Sequence, residues 1–195
     1  KDPQSAQAHG ELGYALYKSN AYYDAVSELK FSLELSGDNS RYLTTLGAVY
    51  IELDKLEMAV SCFEDVLKQN PEDEEARLQL GILNYKKKDY TRAEKYLRGV
   101  LALAPANPNA RYYIALIDVQ KKKYDDALSH FLELTSRFSN ESRYFYGLGL
   151  TYQRLSKLDR AVENFKRALE LDDGNQDARW ELGKIYESTG EIHQA

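Results

Sequence analysis

The sequence predicts an all-α solenoid built from antiparallel helical hairpins that repeat every 34 residues. Two columns of small residues, and an apolar column directly before the first of them, carry this prediction. Each column returns at the same spacing through six copies, which is typical of stacked supersecondary units. The columns are Gly13, Gly47, Gly81, Ala115, Gly149 and Gly183; Leu12, Leu46, Leu80, Ile114, Leu148 and Leu182; and Ala25, Ala59, Ala93, Ala127, Ala161 and Ala195.

Each repeat is predicted to contain two helices. Leu46, Val49 and Tyr50 lie at helical spacing and form one apolar stripe, and a second stripe runs from Leu56 to Phe63. A short polar break separates the two stripes. We expect the small-residue columns to lie where the two helices approach closely, because a larger side chain would push the backbones apart.

The domain organisation follows from the period. Pro71 and Pro105 mark turns between repeats, because proline ends one helix and suits the start of the next. We expect residues 1–195 to form a single solenoid that is a fragment of a longer chain. Its predicted parts are the end of a preceding repeat in residues 1–5, five repeats in 6–39, 40–73, 74–107, 108–141 and 142–175, and a partial repeat in 176–195.

The pattern resembles the tetratricopeptide repeat family. The residues that carry the resemblance are the pairs Leu46-Gly47, Leu80-Gly81, Leu148-Gly149 and Leu182-Gly183, the tyrosines Tyr50, Tyr152 and Tyr186, the alanine column, Phe63 and the prolines. The resemblance covers essentially the whole chain. It implies a right-handed superhelix with the first helices lining the concave side, and it identifies no particular member, because the family serves many unrelated processes.

Composition excludes several classes of function. The net charge of −5, from 26 basic and 31 acidic residues, argues against nucleic acid as a partner. The single cysteine, Cys62, excludes an intrachain disulfide and a cysteine metal cluster. No apolar run is long enough to enter and cross a membrane, and no signal peptide is visible. A cytoplasmic and a periplasmic location both remain open.

No catalytic, cofactor-binding or metal-binding residue is predicted, so the chain is not expected to be an enzyme or to need a cofactor. His9, His130 and His193 are far apart and are interpreted as surface or groove-edge residues. Cys62 is interpreted as a packed thiol. The acidic run 72–75 precedes a helix start, where negative charge complements the helix dipole. A calcium or partner site is the alternative reading of that run.

Two lysine runs fall at predicted turns between first and second helices. Cations there offset the negative end of the first helix and favour solubility. The alternative is a basic rim that contacts an acidic partner or lipid headgroups. The residues of this possible basic rim are Lys86, Lys87, Lys88, Lys121, Lys122 and Lys123.

The first helices carry an apolar and aromatic face directed away from the pairing stripe. A face exposed only to water is expected to be more polar, and exposed apolar patches usually mark interaction sites. We interpret the face as a partner-binding groove; inter-repeat packing is the alternative. The predicted groove residues are Tyr14, Tyr17, Ile51, Leu78, Ile82, Tyr85, Tyr112, Leu116, Val119, Tyr146, Leu150 and Trp180, and Thr44, Ala48 and Gln153 share the face.

Some positions depart from the family pattern. The lysine and asparagine side chains by which chaperone-binding members hold a terminal carboxylate are absent, so carboxylate-clamp binding is not expected. Asn84 and Asp118 stand where other repeats carry leucine or tyrosine. Asp118 would be costly to bury alone, so it is expected either to open to the groove or to meet a tyrosine hydroxyl. A second glycine, Gly147, and the missing proline in 138–141 predict irregular geometry or flexibility at the junction of the fourth and fifth repeats.

The sequence therefore predicts a non-catalytic interaction scaffold. Its partner is expected to be a protein or peptide that presents an apolar or amphipathic segment, or another copy of the same chain. The alternative is that these repeats belong to a larger enzyme or receptor whose catalytic or sensing domain lies outside them.

Overall fold

A computed structural model describes residues 3–37 and 39–190, and the side chains from Ser5 onward in those ranges. They form eleven α-helices, and no β-strand occurs within them, so the predicted all-α fold is confirmed. Predictions that involve Lys1, Asp2, His193 and Ala195 lie outside the described residues. The helices are α1 (Pro3–Lys18), α2 (Tyr22–Ser36), α3 (Ser40–Glu52), α4 (Leu56–Gln69), α5 (Glu74–Lys86), α6 (Tyr90–Leu103), α7 (Pro108–Gln120), α8 (Tyr124–Arg137), α9 (Ser142–Arg154), α10 (Leu158–Leu171) and α11 (Gln176–Thr189).

The chain divides into two compact units. Unit 1 comprises residues 1–104 with α1–α6, and unit 2 comprises residues 105–195 with α7–α11. Within each unit, every helix packs against the next one in the chain. The odd-numbered helices from α3 to α9 have 13 residues each, and the even-numbered helices from α4 to α10 have 14. The single-solenoid reading and the repeat bounds stay predictions.

Each turn from a first to a second helix uses a left-handed residue. Lys122 has φ 60°, and the N–H of the following Lys123 donates to Asp118 O at 2.8 Å, which closes a Schellman motif. The lysine runs thus lie at turns, as predicted. The same conformation recurs every 34 residues, at Asn20, Asp54, Lys88, Lys122 and Ser156.

Side-chain caps begin most of the first helices. The Asp73 carboxylate accepts from Ala76 N at 2.8 Å at the start of α5, so the acidic run 72–75 supplies a cap, as expected. The other capping residues of first helices are Asn39, Asn107 and Asn175. Glu141, before α9, makes no such side-chain bond.

Four glycines of the column lie where paired helices touch, as predicted. A Cβ atom on Gly47 would lie 2.8 Å from Phe63 Cζ, and one on Gly149 would lie 2.7 Å from Phe165 Cδ1. Gly13 and Gly81 face Leu29 and Leu97 at 2.6 Å in the same way. The core of each unit is built along these helix pairs.

Irregular geometry is found at the turn before α9, where Tyr144 N donates to Glu141 O at 3.0 Å, three residues back; the first helices with a side-chain cap start with a bond that spans four residues. Gly147 itself causes no irregularity, because α9 is as long as the other first helices and Gly147 fits closely against the Phe131 ring of α8.

The expectation that Asp118 opens to the groove is wrong. Asp118 is only 2% exposed, and its Oδ2 lies 3.7 Å from Nε2 of His130 on α8.

Candidate protein-binding surface

A cavity of about 220 Å³ opens between the first helices of unit 1. We call it the α3 cavity, because α3 contributes half of its lining. Its apolar part is formed by Tyr17, Ala48, Ile51 and Phe63. The complete lining is Tyr17, Thr44, Ala48, Ile51, Glu52, Phe63, Glu75 and Gln79. The cavity thus brings together the predicted groove residues Tyr17 and Ile51 with Thr44 and Ala48 of the same face.

Local packing explains the shape of the α3 cavity. Gly47 lets the Phe63 ring of α4 approach the α3 backbone closely. The neighbouring Ala48 has only a methyl group, so the space above it stays open. Ile82 and Leu116 lie 34 and 68 positions after Ala48, at the same register, and have larger side chains. The space that is open at Ala48 is therefore occupied by a larger side chain in those repeats.

The rim of the α3 cavity is acidic. Glu52 is the last residue of α3, and Glu75 lies in the first turn of α5. Glu75 accepts a hydrogen bond from Gln79 Nε2 at 2.6 Å. No described residue places a cationic group within 4 Å of Glu52 to form an ion pair. The lining contains two carboxylates and no lysine, arginine or histidine.

Sequence reasoning missed both rim glutamates. The sequence spacing contained a signal for both glutamates. Glu52 directly follows the predicted groove residue Ile51. Glu75 lies three residues before the predicted groove residue Leu78, and residues three apart lie on the same face of a helix. The predicted groove was defined by apolar and aromatic side chains, so the polar members of the same face were not included in it.

A second cavity, of about 200 Å³, also uses Tyr17 and Glu52. It is further lined by Lys18, Asn20 and Tyr22. The Lys18 ammonium lies 5.5 Å from the centre of the Tyr17 ring, within cation–π distance. Tyr17 therefore separates two cavities, one of which has a lysine in its wall.

Tyr14 is exposed on α1, beside an ion pair. The Arg41 guanidinium lies 5.7 Å from the centre of the Tyr14 ring. Its two terminal nitrogens donate to the Glu11 carboxylate at 2.6 and 3.1 Å. This bidentate pair neutralises one of the two cations over the Tyr14 ring; the other is Lys18, 5.4 Å from the ring centre.

The predicted groove residues of α5 differ in accessibility. Leu78 is 7% exposed, so it offers almost no surface to a partner. Ile82 and Tyr85 are half-buried, and the Tyr85 ring lies 5.7 Å from that of Tyr90.

In unit 2, the predicted groove residues pack on the core and keep part of their surface exposed. Tyr112 lies 6.1 Å from the Phe131 ring, centre to centre, and the Arg143 guanidinium stacks 5.1 Å from the Tyr112 ring. Tyr146 lies 5.9 Å from Phe165 in the same manner. Leu116 and Val119 are half-buried against the hydrophobic cluster that contains Phe131. Leu150 is half-buried against the cluster that contains Phe165. These side chains therefore contribute to packing as well as to the surface.

Trp180 is the most exposed of the predicted groove residues, at 69%. It lines an open cavity of about 590 Å³ on α11 together with Gly183, Lys184 and Glu187. Beside them, burial raises the pKa of Glu181, but hydrogen bonds from Lys184 and Gln153 outweigh it and hold that pKa below its usual value.

The possible basic rim is exposed throughout. Lys87 Nζ lies 3.2 Å from Glu57 Oε1. A backbone hydrogen bond within Glu57 and this lysine lower the pKa of the Glu57 carboxyl. Part of the positive charge of the rim in unit 1 is therefore paired.

His9 and Cys62, which were considered for catalysis, both make packing contacts. His9 Nδ1 lies 2.5 Å from Glu28 Oε2, and its ring meets Phe31 edge-on. Burial, reinforced by Asp65, raises the pKa of the Cys62 thiol to about 12. Over the ranges that the structure describes, no three histidine, cysteine, aspartate or glutamate residues are grouped to hold a metal ion. None of the helices described is long and apolar enough to cross a bilayer.

Comparison with known proteins identifies the repeats. Three protein-family models, each described as tetratricopeptide repeat, match residues 44–108, 84–148 and 142–175, which together are more than half of the chain. A TPR repeat-containing protein MJ1428 of Methanocaldococcus jannaschii is 26% identical over 94% of this chain and 35% of its own length. The anaphase-promoting complex subunit CDC16 of Saccharomyces cerevisiae is 24% identical over 77% of this chain and 15% of its own length.

Solved structures confirm the helical-repeat fold class. MamA 41-end from Desulfovibrio magneticus RS-1 matches with a TM-score of 0.80 and 23% identity, over 88% of this chain and 97% of that one. YrrB, described as a TPR protein with an unusual peptide-binding site, matches with a TM-score of 0.75 and 22% identity, over 89% of each chain. At these identities the likeness concerns the fold alone.

Proposed function

Because the chain belongs to the tetratricopeptide repeat family, we propose that it is a non-catalytic protein-interaction scaffold whose α3 cavity anchors one side chain of an apolar or amphipathic partner segment. One observation carries the proposal. Ala48, Ile51 and Phe63 form an apolar surface in a cavity that is open to solvent between first helices. Pockets for drug-sized molecules span roughly 300–1,000 Å³. The α3 cavity, at about 220 Å³, suits a single side chain.

The kind of partner follows from the same geometry. An open cavity on a helical-repeat surface can accept one anchoring side chain of an extended or helical segment, while neighbouring aromatic residues exclude water around it. Tyr14 and Tyr17 lie on the adjoining first helix, α1, and are proposed to be the aromatic residues that exclude water around the anchoring side chain. The described peptide-binding site of YrrB supports a peptide as the class of ligand.

The predicted groove residues of unit 2 are proposed to contact a partner as well. Tyr112, Leu116, Val119, Tyr146 and Leu150 each retain some exposed surface. Their packing on Phe131 and Phe165 limits what a partner can cover, so we assign the anchoring contact to the α3 cavity. The lysine runs are proposed to affect encounter rate more than affinity, because rim charges act at long range.

The proposal is tested by filling the α3 cavity without removing any side chain. A phage-displayed library of random peptides is panned on the protein, and enriched peptides are resynthesised for affinity measurement by calorimetry. Ala48→Leu should weaken their binding by about tenfold or more, which is 1.4 kcal/mol. The matched control, Ala102→Leu, adds the same bulk at an exposed position of α6 away from the cavity. It should leave affinity unchanged.

Two outcomes would contradict this function. The first is that panning enriches no peptide that binds the purified protein. The second is that Ala48→Leu binds every enriched peptide as tightly as the unaltered chain does, with its helical circular dichroism intact.

A second candidate function rests on the length of the relatives. The chain spans 35% and 15% of the two curated proteins described above. These repeats could thus serve as the interaction segment of a larger enzyme or receptor. Under both candidates the α3 cavity has the same role, and the peptide experiment tests it directly.

A further inference from the structure

We infer that the α3 cavity selects a lysine or arginine side chain, with its aliphatic stem against Ala48, Ile51 and Phe63 and its cationic head between Glu52 and Glu75. The inference rests on the proposed function and adds the chemistry of the anchoring residue. It follows from the distribution of charge around a cavity that is apolar inside and acidic at its rim.

The two carboxylates face a cavity that contains no cation of its own. Glu75 uses a hydrogen bond with the neutral Gln79, so its negative charge is not cancelled. Glu52 forms no ion pair with any of the residues described. It also ends α3, where the negative end of the helix dipole favours a cation. A positive group entering the cavity would therefore meet two carboxylates and a helix C-terminus.

The nearby cations of unit 1 are held elsewhere. Arg41 is bound in a bidentate ion pair to Glu11. Lys18 shares the neighbouring cavity with Glu52, but it lies over the rings of Tyr14 and Tyr17 and forms no ion pair with that carboxylate. Neither rim carboxylate is thus engaged in an ion pair with Arg41 or Lys18.

The interior of the cavity fits the stem of such a residue. Long cationic side chains bury their methylene groups against apolar surface and keep the charged end in polar surroundings. Ala48, Ile51 and Phe63 provide the apolar surface, and the Tyr17 ring in the wall adds an aromatic face that suits a cation. A purely apolar anchor would bury its tip against two charged carboxylates, which costs free energy by desolvating them.

The test uses the peptides enriched on the unaltered protein. In each peptide, every lysine or arginine is replaced singly by norleucine, which keeps the apolar stem and removes the charge. One such replacement should weaken binding to the unaltered protein by about tenfold, as expected for a charge-assisted hydrogen bond. The double variant Glu52→Gln with Glu75→Gln should bind the parent peptide and its norleucine derivative equally, because its rim carries no negative charge to distinguish them.

The control variant carries the same change in net charge. Glu64→Gln with Glu72→Gln alters two exposed glutamates of unit 1 that do not line the cavity. It should keep the preference for the cationic peptide. Because the substitutions are isosteric and lie at the surface, all variants should fold, which circular dichroism checks.

The outcomes separate the inference from the proposed function. If norleucine peptides bind as tightly as their parents while Ala48→Leu still abolishes binding, the cavity anchors an apolar residue and the inference is overturned alone. If Ala48→Leu has no effect on binding, or if no peptide is enriched, both the proposed function and the inference are contradicted. If the control variant loses the preference as fully as the rim variant, selection comes from general charge and the inference is likewise overturned.

Discussion

Gly147 of α9 lies directly against the Phe131 ring of α8, so closely that a methyl side chain at position 147 would clash with the ring. A Cβ atom at position 147 would lie 2.3 Å from Phe131 Cε1 and 2.4 Å from Cζ. Phe131 is completely buried, so its ring has no free space to enter. The second glycine of α9 is therefore a packing requirement of the α8–α9 contact.

The first prediction follows from this contact. Gly147→Ala should lower the free energy of unfolding by about 1–3 kcal/mol, the usual cost of overpacking a core, despite the better helix propensity of alanine. The matched control is Gly183→Ala on α11, where no described atom lies within 4 Å of the added methyl group. That variant should gain roughly 0.5–1 kcal/mol. Urea unfolding monitored by circular dichroism measures both, and stabilisation by both substitutions would contradict the packing argument.

The period of the sequence was enough to predict the helices and the contacts within helix pairs, because Gly13, Gly47, Gly81 and Gly149 of one column each lie against a side chain of the paired helix. It did not explain Gly147, which lies outside that column. From the sequence alone, a glycine inside a helix is expected only to lower helix stability. The structure shows that position 147 needs a glycine because the Phe131 ring of a different helix lies against it. Contacts between repeats depend on tertiary geometry that a single repeat pattern does not contain.

The candidate site was predicted in part for a similar reason. The register of the first helices predicts Tyr17 and Ile51 on one face, and both residues line the α3 cavity. It could not predict that Leu78, on the same predicted face, is buried, or that Glu52 and Glu75 share a rim. Those facts depend on which side chains are small enough to leave space, and that is decided by neighbouring helices.

The second prediction concerns the left-handed turn residues. Lys122 has φ 60°, a conformation that costs a residue with a Cβ roughly 1–2 kcal/mol, whereas glycine adopts it freely. Lys122→Gly should therefore stabilise the protein by about 0.5–1 kcal/mol, after the extra backbone entropy of glycine is subtracted. Lys121 has φ −82°, so Lys121→Gly should destabilise it. Thermal unfolding of the two variants provides the comparison, and equal shifts would show that loss of lysine charge dominates.

The third prediction concerns the buried carboxyl of Asp118. The residue 34 positions earlier, Asn84, donates from Nδ2 to Leu80 O at 2.7 Å within its own helix. An asparagine at 118 can make the same bond to the carbonyl four residues before it. Asp118→Asn should therefore keep most of the stability, whereas Asp118→Ala should lose about 1–3 kcal/mol, because His130 and the surrounding polar groups lose their buried partner.

Urea titration of the two Asp118 variants at neutral pH gives the measurement. His130→Ala supplies the reciprocal control, since it removes the other side of the 3.7 Å contact. Equal losses for Asp118→Asn and Asp118→Ala would mean that the negative charge itself, and not a hydrogen bond, holds this position.

The fourth prediction concerns Cys62, whose thiol is held protonated. Burial, and secondarily the negative charge of Asp65, raises its pKa to about 12. An unfolded cysteine has a pKa of about 8.5. At about pH 8.5 half of the unfolded thiol is ionised, whereas almost none of the folded thiol is. Iodoacetamide, which reacts with the thiolate, should thus label the native protein at least roughly 100-fold more slowly than the urea-unfolded protein.

The same shift has a consequence for stability. Because the folded pKa lies above the unfolded pKa, the contribution of Cys62 to stability is fully present below about pH 8.5 and is lost as the pH rises from there toward 12. The unaltered protein should therefore lose more stability than Cys62→Ala between neutral and alkaline pH, since both carry the same tyrosines and lysines. Rapid labelling of the native protein, together with identical alkaline losses in the two proteins, would place the thiol in solvent and refute its buried, protonated state.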